Sequence, residues 1–289
     1  MRLTTPVILV VLLFPFASAN ADPISKSTAD RLLTQSFFVF DNGVGRDQQW
    51  TTVQQAEALA RIGYAGIGYS GTVHLDERLE TFKRHKLRVF NIYVHCNVSE
   101  DPMYGDDLKA AIARLKDTGV VIWLTVQGTA EDDTKAVKAV TEIADLAAAS
   151  NLKVALYPHA NFFVADIEDA LRVARKVDRK NVGVTFNLCH ELHAGNESRF
   201  DQLLDEAAPY LFLVSINGAD HEGGWDKLIQ PLGKGSFDLI RLLRKVFAVG
   251  YEGPIGLQCY QVPGDTLANL EHNMNQWRKI VAQLAEKGS

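Results

Sequence analysis

The sequence predicts a single (β/α)8 barrel, and three observations carry that expectation. Eight short runs rich in β-branched and aromatic residues recur at a spacing of ~30 residues, as in a chain that alternates strand and helix. Amphipathic stretches lie between them, as needed to cover the outer face of a closed parallel sheet. No Gly-x-Gly-x-x-Gly follows the first run, which argues against an open doubly wound sheet.

In chain order the runs are "SFFVFDN", "YAGIGYS", "RVFNIYVHC", "VVIWLTVQG", "KVALYPHAN", "VGVTFNLCH", "LFLVSINGAD" and "PIGLQCY", starting at residues 36, 64, 88, 120, 153, 182, 211 and 254. The helical stretches carry their own start and stop signals. "DDLKAAIARLKDTG" has Asp at its start and Gly at its end, and "GDTLANLEHNMNQWRKIV" places Asp265 as an N-cap. Leu267, Leu270, Met274, Trp277 and Val281 then form one apolar stripe, read as core packing.

With 289 residues, 47% hydrophobic and 22% charged, the chain fits one soluble globular domain. "MRLTTPVILVVLLFPFASANAD" sets Arg2 before an apolar run and ends in small-x-small sites, the pattern of a secretory signal over residues 1–21. The expected barrel domain is then 22–289, and the expected location secreted or periplasmic. The apolar run is shorter than the ~20 residues that span a bilayer, so no membrane association is expected after cleavage. Three cysteines, an odd number, make no disulfide framework. A formal charge of -5 without a basic cluster excludes nucleic acid as a partner. A homodimer is compatible with the fold, and no feature of the sequence selects it.

In a (β/α)8 barrel functional groups gather at the C-terminal strand ends. Period-two alternation points Asp41, Tyr69, Tyr93, His95, Thr125 and Gln127 toward the mouth, followed by Tyr157, His159, Asn187, His190, Ser215, Asn217, Gln258 and Tyr260. Trp225, after the Gly223-Gly224 pair, is placed to close over a ring. Glu191 and Glu222 read as solvated loop groups. A mouth of amides, hydroxyls, imidazoles and aromatic rings suits a polyhydroxylated ligand, a carbohydrate or polyol, whose hydroxyls both donate and accept. His190 and His159 are the first candidates for proton transfer, since imidazole titrates near neutral pH; His95 and Asp41 follow them.

"ARIGYAGIGYS", "AAASNLKVALYPHAN", "NVGVTFNLCHEL", "VSINGADHEGGW" and "LGKGSFDLIRLLRKVFAVGYEGPIGLQ" together resemble the xylose isomerase-like TIM barrels, over nearly the whole mature chain. The resemblance implies a divalent metal at the mouth, held by Glu, Asp, His and Glu from strands five to eight. The matching positions here are Tyr157, Asn187, Ser215 and Gln258, all neutral. The expectation is therefore a sugar isomerase or epimerase-like protein without that metal or any other cofactor. Zinc on His95, His159 and His190 is one alternative; a non-catalytic carbohydrate-binding protein on the same scaffold is another. An abasic-site endonuclease, which needs a metal cluster and a basic face, ranks last.

Overall fold

Eight parallel strands close on themselves in the computed structural model, which describes residues 23–46 and 49–286. The secretory signal expected over residues 1–21 lies outside the described residues. All eight runs are strands: β1 (Phe37–Phe40), β2 (Gly66–Ser70), β3 (Arg88–Asn97), β4 (Val121–Gln127), β5 (Val154–Leu156), β6 (Val182–Asn187), β7 (Leu211–Ile216) and β8 (Ile255–Leu257). Each pairs with the next, and β8 returns to β1 through Phe38↔Gly256.

Helix α1 (Lys26–Arg31) precedes the barrel. Its outer ring is α2 (Thr52–Ile62), α3 (Leu75–Arg84), α4 (Asp106–Arg114), α5 (Thr134–Ala149) and α6 (Ile167–Val177), then the pair α7 (Leu188–His193) and α8 (Phe200–Ala207). A second pair, α9 (Trp225–Leu228) and α10 (Leu239–Ala248), precedes the terminal α11 (Thr266–Ala285). Asp265 caps α11 as expected, its side chain accepting from Ala268 N. Gly119 does not terminate α4, which ends at Arg114; it sits five residues on, at φ +73°, in the turn toward β4.

Two apolar layers result. Outward-facing strand residues such as Ile67, Leu124 and Val214 pack beneath the helices. The barrel's inside is filled by a separate cluster built on Phe38, Phe40, Phe90, Trp123, Tyr157 and Leu213. Large rings fit there because small residues face them: a Cβ on Gly68 or Gly256 would fall within 3.0 Å or less of the Phe38 ring. The rings stack upward, from Phe38–Phe90 at 4.7 Å through Phe40–Trp123 at 5.1 Å to Trp123–Tyr157 at 4.5 Å.

Two features shape the mouth. Strand β6 passes directly into α7, so that the helix carries His190 over the barrel end. Strand β3 outruns β2: their pairing ends at Ser70↔Tyr93, whereas β3 stays paired with β4 to Asn97↔Gln127. Among the described residues no helix is long and apolar enough to cross a membrane.

Trp123 is the centre of the inner cluster, and its indole N–H donates to Thr185 Oγ1. Trp123→Ala is expected to cost about 3–5 kcal/mol of stability, read as a lowered midpoint in denaturant unfolding.

Candidate functional site

A cavity of about 440 Å³ opens at the C-terminal end of the barrel. Its floor is the top of the inner ring cluster, Phe40, Tyr93 and Tyr157. Its walls carry Asn42, Arg46 and Ser70 from the first two strand ends, His159 and Asn161 from the loop after β5, His190 from α7, Trp225 from α9 and Gln258 from the end of β8. Tyr260, 43% exposed, stands at the rim.

The four positions that the resemblance marks for a metal converge below this cavity. Tyr157 is fully buried, and its phenol takes a hydrogen bond from Gln258 Nε2 at 3.4 Å, joining the end of β5 to that of β8. Asn187 donates to Pro158 O and accepts from the Cys189 thiol, which is what the amide does at this strand end. Ser215 lies opposite Asn187 in the sheet register and is likewise buried. Gln258 Oε1 is committed to three donors: Asn42 Nδ2 at 2.6 Å, Cys259 N at 2.9 Å and Tyr260 N at 3.0 Å. Burial raises the Tyr157 pKa well above its ordinary value, so the phenol stays protonated. A neutral set in which the Tyr157, Asn187 and Gln258 oxygens already serve protein donors does not fit a hard divalent cation, which is held by anionic oxygens.

The two histidines form the chemical centre. Their rings lie 4.4 Å apart, and both are tied to one residue, Ala160. Ala160 N donates to His190 Nδ1 at 3.0 Å, so the neutral His190 ring carries its proton on Nε2. His159 Nδ1 lies 2.9 Å from Ala160 O, so that nitrogen carries the proton and Nε2 keeps its lone pair. The two Nε2 atoms therefore differ: one is a donor, the other a base. Burial lowers the pKa of both, that of His190 well below the ordinary imidazole value with the His159 and His193 rings adding to the effect, so both are neutral at pH 7. Phe162 stacks on His159 at 4.2 Å, and Trp225 lies between His190 and the parallel ring of His193, 4.7 Å away.

Of the residues expected at the mouth, His159, His190, Tyr93, Tyr157, Gln258, Tyr260 and Trp225 line the cavity. Asn187 and Ser215 support it from beneath. Five expectations are corrected. Tyr69 points outward, its ring under the Arg78 guanidinium at 3.8 Å and its hydroxyl donating to Val73 O. Asp41 is buried and takes hydrogen bonds from Ser70 N at 2.9 Å and Ser70 Oγ at 2.8 Å, tying β1 to β2; burial raises its pKa. His95 sits on the β3 overhang in a neighbouring groove, so the three imidazoles do not converge as a zinc site requires. Gln127 lies outside the cavity at the end of β4. Asn217 is turned into its own loop, its Nδ2 donating to Gly218 O and Leu228 O, and lies outside the cavity.

Asn42, Ser70 and Arg46 were missed. For the first two a signal existed. Phe38 and Phe40 face inward, which carries Asn42 with them; Gly68 faces inward, which carries Ser70. Choosing Asp41 and Tyr69 slipped the alternation by one residue and turned both to the wrong face. Arg46 lies in a loop where no periodicity applies. Asn42 Oδ1 is buried and finds no partner among the described residues.

A family model for the xylose isomerase-like TIM barrel matches residues 56–284. An uncharacterized protein of Methanocaldococcus jannaschii is 29% identical over 121 residues, a match covering 41% of this chain and 40% of that relative's length. Among solved structures, a 3-keto-D-glucoside 4-epimerase from E. coli superposes with a TM-score of 0.66 at 15% identity, over 87% of this chain and 99% of its own. A xylose isomerase-like TIM barrel protein from Mycobacterium smegmatis, in complex with magnesium, gives 0.65 at 17% identity, over 88% and 98%. These two likenesses concern the fold.

Glu191, next to His190, is fully buried and not solvated. Its oxygens accept from Ile167 N at 2.8 Å and Asn196 Nδ2 at 2.9 Å, tying α7 to the start of α6. Burial pushes its pKa up to about 8, against the donors that favour the carboxylate. A carboxyl whose folded pKa lies above its unfolded one destabilises the fold on ionising, so stability falls as pH rises from the ordinary carboxylate range toward 8. We expect a slope approaching roughly 1.4 kcal/mol per pH unit in that window, absent in Glu191→Gln, measured by urea unfolding between pH 5 and about 9.

Proposed function

The chain belongs to the xylose isomerase-like TIM barrel family, and on that premise we propose that it holds a carbohydrate or polyol in the mouth cavity and moves a proton next to a carbonyl without a divalent metal. The family is a sugar isomerase and epimerase-like superfamily of barrels. The observation that carries the reading is the imidazole pair held in opposite tautomers by Ala160.

The chemistry is that of an enediolate. His159 Nε2 takes the proton from the carbon beside the carbonyl, and the C–H electrons pass to the carbonyl oxygen. His190 Nε2–H donates to that oxygen as charge develops, in the manner of a neutral imidazole acting as an electrophile. The imidazolium formed on His159 is stabilised through its Nδ1–H by Ala160 O. Return of the proton from His159 to the opposite face of the same carbon, after the enediolate has turned over in the cavity, completes an epimerisation; its delivery to the former carbonyl carbon, with the neighbouring hydroxyl proton passing to the oxygen on that carbon, completes an isomerisation. Gln258 Nε2 supplies a second N–H and Ser70 Oγ a lone pair for hydroxyls, and the Trp225 and Tyr260 rings cover C–H faces. Export belongs to the same proposal and rests on the first 21 residues of the sequence.

The test is solvent exchange in D2O, followed by NMR over a panel of aldoses, ketoses and inositols. We expect deuterium to enter next to the carbonyl at a rate that chelators leave unchanged. His159→Ala slows it by about 10²-fold or more. The rate holds from neutral pH upward and falls only in acid, below the ordinary imidazole range, because burial lowers the pKa of His159 and the base must be unprotonated. A sugar that binds and never exchanges would make the protein a carbohydrate-binding module on an isomerase scaffold.

A further inference from the structure

The mouth cavity has a neighbour. Tyr93 bounds it on one side and bounds on the other a second depression of about 470 Å³, and the consecutive residues Ser70 and Gly71 line one and then the other. We propose that this groove is a second sugar subsite, so that the ligand is a disaccharide or another glycoside with one ring over His159 and His190 and the next beyond Tyr93. This rests on the carbohydrate reading of the first cavity and adds to it the length of the ligand.

The groove exists because β3 outruns β2. Past the bond from Gly71 N to Tyr93 O, β3 makes no described backbone bond on that side until Asn97 N donates to Met103 O. The strand edge around His95 therefore faces the groove with its N–H and C=O groups, which pair readily with hydroxyls. The far wall is the loop into α4, with Glu100, Asp101 and Tyr104, and Asp107 stands at the base of that helix.

The chemistry of the two spaces differs. Among the described residues lining the first cavity there is no carboxylate; the second has three. Glu100 and Asp107 each hold one protein donor, Asn97 Nδ2 at 2.8 Å and Thr72 Oγ1 at 3.1 Å, and each retains acceptor capacity. A carboxylate accepting from two adjacent hydroxyls, beside a tyrosine ring that covers the C–H face, recognises a pyranose by ordinary means. The carboxylates also fix the charge of the second ring. It is neutral or carries an amine, and a uronate is repelled. Each space is near the lower end of the range for ligand pockets, the size of a site for one ring.

The experiment is calorimetric titration with aldohexoses, their α- and β-linked disaccharides and the corresponding methyl glycosides, on the intact chain. We expect the preferred disaccharide to bind about tenfold more tightly than its reacting monosaccharide. Asp101→Asn and Glu100→Gln, both changes at exposed positions, are expected to cut that ratio by about fivefold. A ratio near one in the unaltered protein, or a ratio that both variants leave in place, overturns the subsite while the single-ring reading stands. Binding of no sugar of either length overturns both.

Discussion

The interior of this barrel is filled with rings as far as its mouth, and that packing decides everything above it. Eight strands leave room inside for a few layers of side chains. Phe38, Phe90, Phe40, Trp123 and Tyr157 take most of it, made possible by glycine at 68 and 256. Tyr157 is the uppermost of these and reaches across to Gln258, so the space between β5 and β8 is bridged by a neutral phenol. Asn187 and Ser215 complete that floor, the Asn187 amide being bonded to Pro158 O and the Cys189 thiol. Anything that binds does so on top of that floor, among groups that are neutral apart from Arg46.

A cavity with no carboxylate among its described lining residues still needs a means of moving protons, and here the backbone provides it. One residue, Ala160, presents its N–H to one imidazole and its C=O to the other. The opposite tautomers follow from main-chain polarity alone, independent of any acidic side chain. Burial reinforces the arrangement, because desolvation disfavours the imidazolium form of each ring. A hydrogen-bond donor and a base thus stand side by side at the same pH. The loop that holds them is itself fixed: His159 N donates to Val164 O, Phe162 N to His159 O, and Asn161 takes the left-handed conformation, at φ 68°, that turns the chain.

Much of this was legible in the residues. The strand runs were readable because a strand buried on both faces of a closed sheet is a short block of β-branched and aromatic residues. The cap at Asp265 was readable because capping is local. Tyr157, Asn187, Ser215 and Gln258 were readable as a replaced set because each occupies a defined place at a strand end. The alternation failed at β1 and β2, where the strands are short and a slip of one residue chose Asp41 over Asn42 and Tyr69 over Ser70. Glu191 read as a solvated loop residue because nothing nearby in sequence shows that α6 and Asn196 enclose it.

By itself, then, the sequence determined the barrel, the order of its strands and the neutral residues at four strand ends, three of them in place of carboxylates, because periodicity, capping and residue type are properties of neighbouring positions. Only the tertiary structure decided which side chains share a cavity, that His95 stands apart from His159 and His190, which nitrogen of each imidazole bears the proton, and that Tyr93 divides two adjoining spaces. Those outcomes depend on distances between strands far apart in the chain and on how much water each group loses on folding. Neither quantity is written in any local stretch of residues.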